Sequence, residues 1–593
     1  MSLPSLDHFS NRTDLQKYGT DALPLFALQL RFQIEDIDTV ATTSLTDKAT
    51  KGDDKKCDLI YVDKDLGHIV VIQAYFANNP NKNVAPSNKA ADLNTAAAWL
   101  FNSPINDLPE GLQSAVEEVR SALEENCINF VQFWYVHNLQ ESKNVKNELS
   151  MVAQTVNNFL KTKFPQTNVE SIVALEVGQQ TLDEWYKSLE SPILVTDSFT
   201  IPIANGYTIS GNEWDAFVTA VPLSWLHEVF KKYDTKLFSA NIRGYLGSRK
   251  SDSNINNGIK ETAQASPDNF WVYNNGITAL VSHFEEVLDN EKPSNSESKC
   301  LQIQGISIVN GAQTTGAIGS LKHQPTSTGK VQARFVRCNN INTIRSIIEY
   351  NNRQNEIEAS DFRSNDPIQR RLRQEFDQIP ETSYSGGRRG GSEDIIRRPS
   401  NLLPSDTIAQ SLAAFHQDPV LAYNKKSDIW KIDKTYAKYF NEQTTAEHIV
   451  FTYSLLRAIE SKNRSLTDKQ KENRLSELEE EQLNFFRKRG SHFLLESAIA
   501  KCLEIFLDCS IPSTFKVSFG KISPQKAEDI WHEIVDITIP FSSYLTSAVS
   551  KSLSNSDEAT KAINAFRNIV ESTKRYHSET TFRSFASHVK FSS

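Results

Sequence analysis

The stretch KKCDLIYVDKDLGHIVVIQAYFA, residues 55–77, decides how the N-terminal third of the chain is read. Two runs rich in β-branched and aromatic residues, CDLIYV and HIVVIQAYF, flank the turn-prone DKDLG, so the spacing predicts two strands joined by a tight connection. Asp58 opens the first strand. Side chains alternate along a strand, which puts Gln73 and Tyr75 on one face of the second. An acid, a carboxamide and a third side chain two residues on are thereby expected at one place. Upstream, TDALPLFALQLRFQIEDI carries Leu23, Phe26, Leu30 and Ile34 at helical spacing, with Glu35 at its end.

The hairpin resembles the centre of restriction-endonuclease-like nucleases. There an Asp on one strand and an acid or amide on the next hold Mg²⁺, and a Lys two residues later orients water or steadies the phosphorane. Asp58 and Gln73 fit the metal-holding positions, Gln73 through its carbonyl, and Glu35 is a further candidate acid. Tyr75 stands where the lysine should be and supplies no positive charge. Three alternatives stay open. The lysine has moved, with Lys89 in NKAADLNTAAAWL the first candidate and Lys82 the second; the site is degenerate and binds without cutting; or Asp58 caps a strand and Gln73 is an ordinary half-buried polar residue.

Beyond the hairpin, the strand INFVQFWYVHN, the helical NVKNELSMVAQTVNNFLKTKF and the strand VESIVALEV repeat a β-α-β order, which favours a sheet covered by helices. The 593 residues, with 39% apolar side chains and 10% aromatics, allow two to four packed domains. No run of about eighteen apolar residues occurs and the N-terminus lacks signal-peptide order, so neither membrane insertion nor secretion is indicated and the cytoplasm is the expected location. Cys57, Cys127, Cys300, Cys338, Cys502 and Cys509 are scattered without a Cys-x-x-Cys pair, which argues for buried thiols over zinc or disulfides. A net charge of −9 means that any phosphate contact must come from a local basic patch. The C-terminal third reads as helical, with Thr467 and Gln470 in N-cap and capping-box positions and Gly490 as a stop.

The middle third carries NIRGYLGSRKSDSNINNGIKETAQASPDNFWVYNNGITALV at 241–281, then GISIVNG running into Gln313, Thr314 and Thr315, then EYNNRQNEIEASDFRSNDPIQRRLRQEF at 349–376. FWVYNNGITALV reads as strand, Asn-Gly turn, strand. GISIVNG reads as a strand that delivers Asn310 and Gly311 to a helix start suited to an anion. Taken together, these segments resemble the abortive-infection phage resistance (AIPR) family over roughly 235–400. The matching residues are Asn241, Arg243 and Gly244; Asn274, Asn275, Gly276 and Thr278; Asn310, Gly311, Gln313 and Thr314; Asn351, Asn352, Gln354, Asp361 and Arg363. The resemblance implies anti-phage defence and an N-terminal restriction-endonuclease-like region, from whose pattern Tyr75 departs.

Residues 363–398 hold eight arginines against six acids. Arg363, Arg370, Arg371, Arg388 and Arg389, with Arg243 and Arg249, are expected to grip a nucleic-acid backbone, because a planar guanidinium matches phosphate. Internal ion pairs are the competing explanation. Asp366 before Pro367 predicts a capped helix start.

The expected fold class is therefore α/β and α: a nuclease-like α/β domain over 1–195, a central mixed α/β AIPR-type domain over 196–400, and a mainly helical C-terminal domain over 401–593. The expected activity is Mg²⁺-dependent, with Mn²⁺ as a substitute, on DNA or RNA. The alternatives are a non-catalytic binder or a nucleotide-responsive sensor. The C-terminal helices are candidates for packing or homo-oligomer assembly.

Overall fold

The predicted hairpin forms. In the computed structural model, β1 (Leu59–Asp63) pairs antiparallel with β2 (His68–Tyr75), with Leu59 opposite Ile72. The structure describes residues 4–46, 54–78, 83–190, 193–233, 236–238, 252–288, 299–326, 328–352, 363, 366–386, 401–550 and 552–591. Ahead of β1, the helical run breaks in two. Helix α1 (Ala22–Phe32) ends at Gln33, whose φ of 50° is left-handed, and α2 (Ile37–Ser44) starts afresh under the Asp36 side chain, which accepts from Asp38 N and Thr39 N. Glu35 consequently sits in a connector and not on a helix.

After β2 come α3 (Ser87–Phe101) and α4 (Glu110–Glu124), then β3 (Phe130–His137), α5 (Lys143–Lys163) and β4 (Ser171–Val177). The sheet order is β1-β2-β3-β4, with β2, β3 and β4 parallel. Parallel neighbours need a crossover, and α3–α4 and α5 supply the two. Leu93, Ala97 and Leu100 of α3 and Val145, Leu149 and Val152 of α5 pack on Ile60, Val71 and Phe133, the same face that carries Gln73. Each leucine so buried contributes about 2 kcal/mol.

Residues 1–11 and 180–357 form a separate compact unit. Its sheet is built from β5 (Val195–Ile203), β6 (Gly206–Ser210), β7 (Trp214–Pro222), β8 (Ile277–Leu280), β9 (His283–Leu288), β10 (Lys299–Asn310) and β11 (Lys330–Cys338). The order is β5-β10-β8-β11-β7-β6, with β9 also on β10. Three helices matter to the site: α6 (Phe270–Tyr273), α7 (Ala312–Gly319) and α8 (Ile341–Asn352). The segment FWVY, expected as a strand, is helix α6. It follows a short turn opened by Pro267, and it buries Phe270 while Trp271, Val272 and Tyr273 face solvent, a one-in-four burial that a strand's alternation does not give.

The second unit joins residues 12–179 to 358–593. Its C-terminal part is helical, as expected, with α9 (Pro367–Phe376), α10 (Ser405–Phe415), α11 (Lys426–Lys431), α12 (Ala446–Lys471), α13 (Glu477–Phe486) and α14 (Ser491–Lys501) among its elements. Asp366 caps α9 ahead of Pro367. Thr467 is no cap: α12 runs through it, and its hydroxyl bonds back to Asn463 O at 3.0 Å. The capping box belongs to Ser476 and Glu479, and Gly490, at φ 83°, precedes α14. The N-terminal sheet is tied to these helices by buried polar contacts. Arg489 donates to Ile60 O at 2.9 Å and pairs with Glu118 at 3.6 Å, while Arg457 pairs with Asp36. Cys57, Cys300 and Cys502 are buried thiols, whereas Cys509 is exposed. No described helix is long and apolar enough to cross a membrane.

Candidate active site

Asp58 stands one residue before β1, whose first registered pair is Leu59 opposite Ile72. Its backbone N–H donates to Ile72 O at 2.9 Å, and its carbonyl accepts from Thr46 N at 3.3 Å and Thr46 Oγ1 at 3.0 Å. The carboxylate is thus delivered by bonds to the Asp58 backbone, one of them from the Thr46 hydroxyl. Its Oδ2 accepts from Gln73 Nε2 and from Ala74 N, each at 2.7 Å. Both residues are 6% exposed. With its N–H₂ spent on Asp58, Gln73 leaves its carbonyl oxygen buried and without a hydrogen-bond partner among the described residues. An orphan acceptor beside a carboxylate is what a hard cation needs and what a purely structural carboxamide avoids.

These groups open on a cleft of about 340 Å³ lined by Thr20, Asp54, Lys56, Asp58, Gln73, Ala74, Tyr75, Phe76 and Lys89. Lys89, from the first turn of α3, therefore shares the cleft with Asp58 and Gln73. Glu35 does not: its carboxylate accepts from Ser405 N at 3.1 Å, at the start of α10. That bond corrects its expected place beside the metal-holding pair. Among the described residues no three His, Cys, Asp or Glu side chains converge, and the cleft's protein oxygens include the Asp58 carboxylate, the Gln73 carboxamide and, at its edge, the Asp54 carboxylate. Mg²⁺ is commonly held by one or two protein oxygens and completed by water and substrate phosphate, so the pair fits it.

The site extends further than the hairpin. Register continues from Gln73 to Tyr135 on β3 and to Glu176 on β4, so Gln73, Tyr135 and Glu176 form one row across three strands, with the Asp58 carboxylate bonded to its Gln73 end. The Tyr135 hydroxyl is buried and has no hydrogen-bond partner among the described residues. Burial pushes it well above the ordinary tyrosine range, and the neighbouring Tyr75, Glu176 and Asp92 push the same way. Glu176 accepts from His137 Nε2 and from Ser142 N, all at 3.1 Å. Leu139 N donates to His137 Nδ1, which fixes the ring proton on Nε2. Sequence reading missed this row because VQFWYVHN reads as plain core until the register is known.

The central cluster is partly assembled in the other unit. Thr314 Oγ1 and the Asn274 side chain lie within 3.2 Å, and Asn274 Oδ1 accepts from Gly276 N at 3.0 Å. Gly276 and Gly311 both have left-handed φ, and a Cβ on Gly311 would meet Gly276 O at 2.7 Å. Thr278 pairs in register with both Asn310 and Arg334. Arg334, which the sequence did not single out, donates to Thr278 Oγ1 at 3.0 Å and Asn351 Oδ1 at 2.8 Å. Asn275 is exposed, and Gln313 lies in the first turn of α7. Asn241, Arg243, Arg249, Gln354, Asp361, Arg388 and Arg389 lie outside the described residues.

Two of the arginines expected to grip phosphate are engaged internally. Arg371 donates to the carbonyls of Asn441, Glu442 and Thr444, and Arg363 bonds Asp433 and lies 4.4 Å over the Tyr436 ring. Arg370, on the outer face of α9, is exposed.

A family model described as AIPR protein matches residues 238–590, well past the segment around 400 where the recognisable motifs end. No curated protein and no solved structure matches the chain. The central cluster and the C-terminal helices lie inside the matched span; the Asp58 cleft lies outside it.

Proposed function

The chain belongs to the AIPR family, which points to an abortive-infection, anti-phage role, and from that premise we propose that its N-terminal sheet carries a Mg²⁺-dependent endonuclease site. The observation that supports this reading is the buried, unpartnered Gln73 carbonyl oxygen beside the Asp58 carboxylate, in a cleft that also receives lysines. Asp58 and the Gln73 carbonyl would hold the ion, which when bound polarises a phosphate and lowers the pKa of bound water. Ala74 N–H and Gln73 N–H₂ fix the carboxylate's orientation. Lys89 places an ammonium in the same cleft, where it can meet the negative charge that builds up on a phosphodiester under attack. Restriction-endonuclease-like ancestry is supported by the sequence of acid strand, antiparallel carboxamide strand and parallel crossover strands. Nucleic acid, DNA or RNA, is the proposed substrate, with Arg370 as an outlying contact and Mn²⁺ able to replace Mg²⁺.

Tyr75 favours a second reading, a non-catalytic nucleic-acid binder in which the cleft holds a backbone without cutting it. A metal-dependence assay separates the two. Incubation with single- and double-stranded DNA and RNA in Mg²⁺, Mn²⁺ or chelator is expected to give metal-dependent products that Asp58→Ala abolishes. Identical products in chelator, or in the Asp58→Ala variant, would overturn the nuclease assignment.

A further inference from the structure

Lys56 lines the Asp58 cleft, yet nothing in the motif reading draws attention to it. Its backbone is unusual. Lys55 and Lys56 are consecutive non-glycine residues with left-handed φ of 50° and 70°, a conformation that L side chains adopt only when the surroundings over-determine it. The surroundings do. Asp54 Oδ1 accepts from Lys56 N at 2.9 Å, Asp54 O accepts from Cys57 N at 2.9 Å, and Cys57 is fully buried, anchoring the turn one residue before Asp58. The turn projects Lys56 toward α3, where its Nζ stands 3.8 Å from Asp92 Oδ2. Lys89 Nζ stands 3.8 Å from the same oxygen. Two ammoniums thus share one carboxylate at the rim of a cleft whose floor holds the unpartnered Gln73 oxygen. Long, exposed pairs of this kind are weak and exchange readily for a better anion.

We propose that Lys56 is a phosphate-contacting residue of this cleft, which with Lys89 supplies the positive charge that Tyr75 does not. The ligand class is a nucleic-acid phosphodiester backbone, and the inference rests on the reading of the cleft as a nucleic-acid site. It adds a second cation, delivered by a strained turn rather than by the strand position two residues after Gln73.

The test measures binding of a labelled single-stranded DNA oligonucleotide and its duplex across a salt series, with Ca²⁺ in place of Mg²⁺, alongside cleavage in Mg²⁺. The proteins are the full chain, Lys56→Gly, Lys56→Arg and Asp58→Ala. Lys56→Gly suits the left-handed backbone, so its thermal unfolding is expected unchanged or raised, which separates lost contact from lost fold. Loss of one phosphate contact should weaken binding about fivefold to tenfold at 0.1 M monovalent salt and make the salt slope shallower by about one. Lys56→Arg should restore both. Unchanged affinity and slope in Lys56→Gly, with metal-dependent cutting still abolished by Asp58→Ala, would overturn the role of Lys56 and leave the nuclease reading standing. Weakened binding in Lys56→Gly by a full chain that never cuts would keep Lys56 and overturn the nuclease. Absence of binding by the full chain would overturn both.

Discussion

Lys426 of α11 donates to the Asp63 carboxylate at 2.9 Å, joining the C-terminal helices to the last residue of β1. Burial by itself would raise the Asp63 carboxyl, but the Lys426 ammonium and the Leu66 N–H outweigh it and hold the group below the ordinary carboxylate range. The Asp63 side chain is 1% exposed and that of Lys426 38%, so solvent screens one end of the pair. Lys426→Ala is expected to destabilise the second unit by about 2 kcal/mol in urea unfolding, less than for a fully buried pair because solvent reaches the lysine. A depressed carboxyl stabilises above the unfolded value, about pH 4, and the benefit is lost as pH falls through the folded value. The stability difference between the two proteins should therefore hold steady from pH 7 to about pH 5 and begin to narrow below about pH 4; a constant difference down to pH 3 would show that the pair contributes nothing pH-dependent.

Gln73→Glu should reveal the cation. It sets a second carboxylate where Nε2 now donates to Asp58 at 2.7 Å, and two like charges at that range repel. The variant is expected to melt several degrees below the natural chain in chelator and to recover more than the natural chain does on adding millimolar Mg²⁺, because binding to the folded state alone stabilises it. A Mg²⁺ response no larger than that of the natural chain would count against a metal position at this pair.

Neighbouring arginines on α9 should separate cleanly. Arg371→Ala strands three carbonyls and is expected to lose about 2 kcal/mol of stability. Arg370→Ala, at an exposed position, should leave stability within about 0.5 kcal/mol and weaken oligonucleotide binding with a shallower salt slope. Calorimetry and a salt titration on each variant would check the contrast, and equal binding losses would show that the whole helix, not one side chain, meets the ligand.

Gly311→Ala should damage the central unit. The new Cβ would come within 2.7 Å of Gly276 O and of Ile277 Cγ2, at a backbone φ of 83°. Both penalties act together, and the loss is expected to exceed about 2 kcal/mol. Hydrogen exchange should report it as lost protection in β8 and β10; protection equal to that of the natural chain would show that the neighbours give way.

Local signals carried the β1–β2 hairpin, the β-α-β order and the Asp366 cap into view from sequence alone, since each is written in a few adjacent residues. The closeness of Asp58 and Gln73 was legible for the same reason, and Lys89, one of two candidate lysines, lines the same cleft. The rest depends on partners far along the chain. Glu35 reads as a helix-end acid until Ser405, 370 residues on, takes its carboxylate. Arg371 reads as a phosphate ligand until three carbonyls from 441–444 claim it. Tyr135 and Arg334 carry no local signal, and only register sets them beside Gln73 and Thr278. FWVY misled because aromatic and β-branched composition outweighed the burial of a single residue, Phe270.

The chain's passage from one unit to the other and back has a consequence for synthesis. Residues 12–179 are completed early, but the side chains that Asp36, Asp63 and Glu118 bond to arrive only with residues 426–489. At ribosomal rates that interval is on the order of tens of seconds. Until then the sheet that neighbours Asp58 has its own covering helices but not these three bonds, so a nascent chain interrupted before its last third carries a cleft that they have not yet secured.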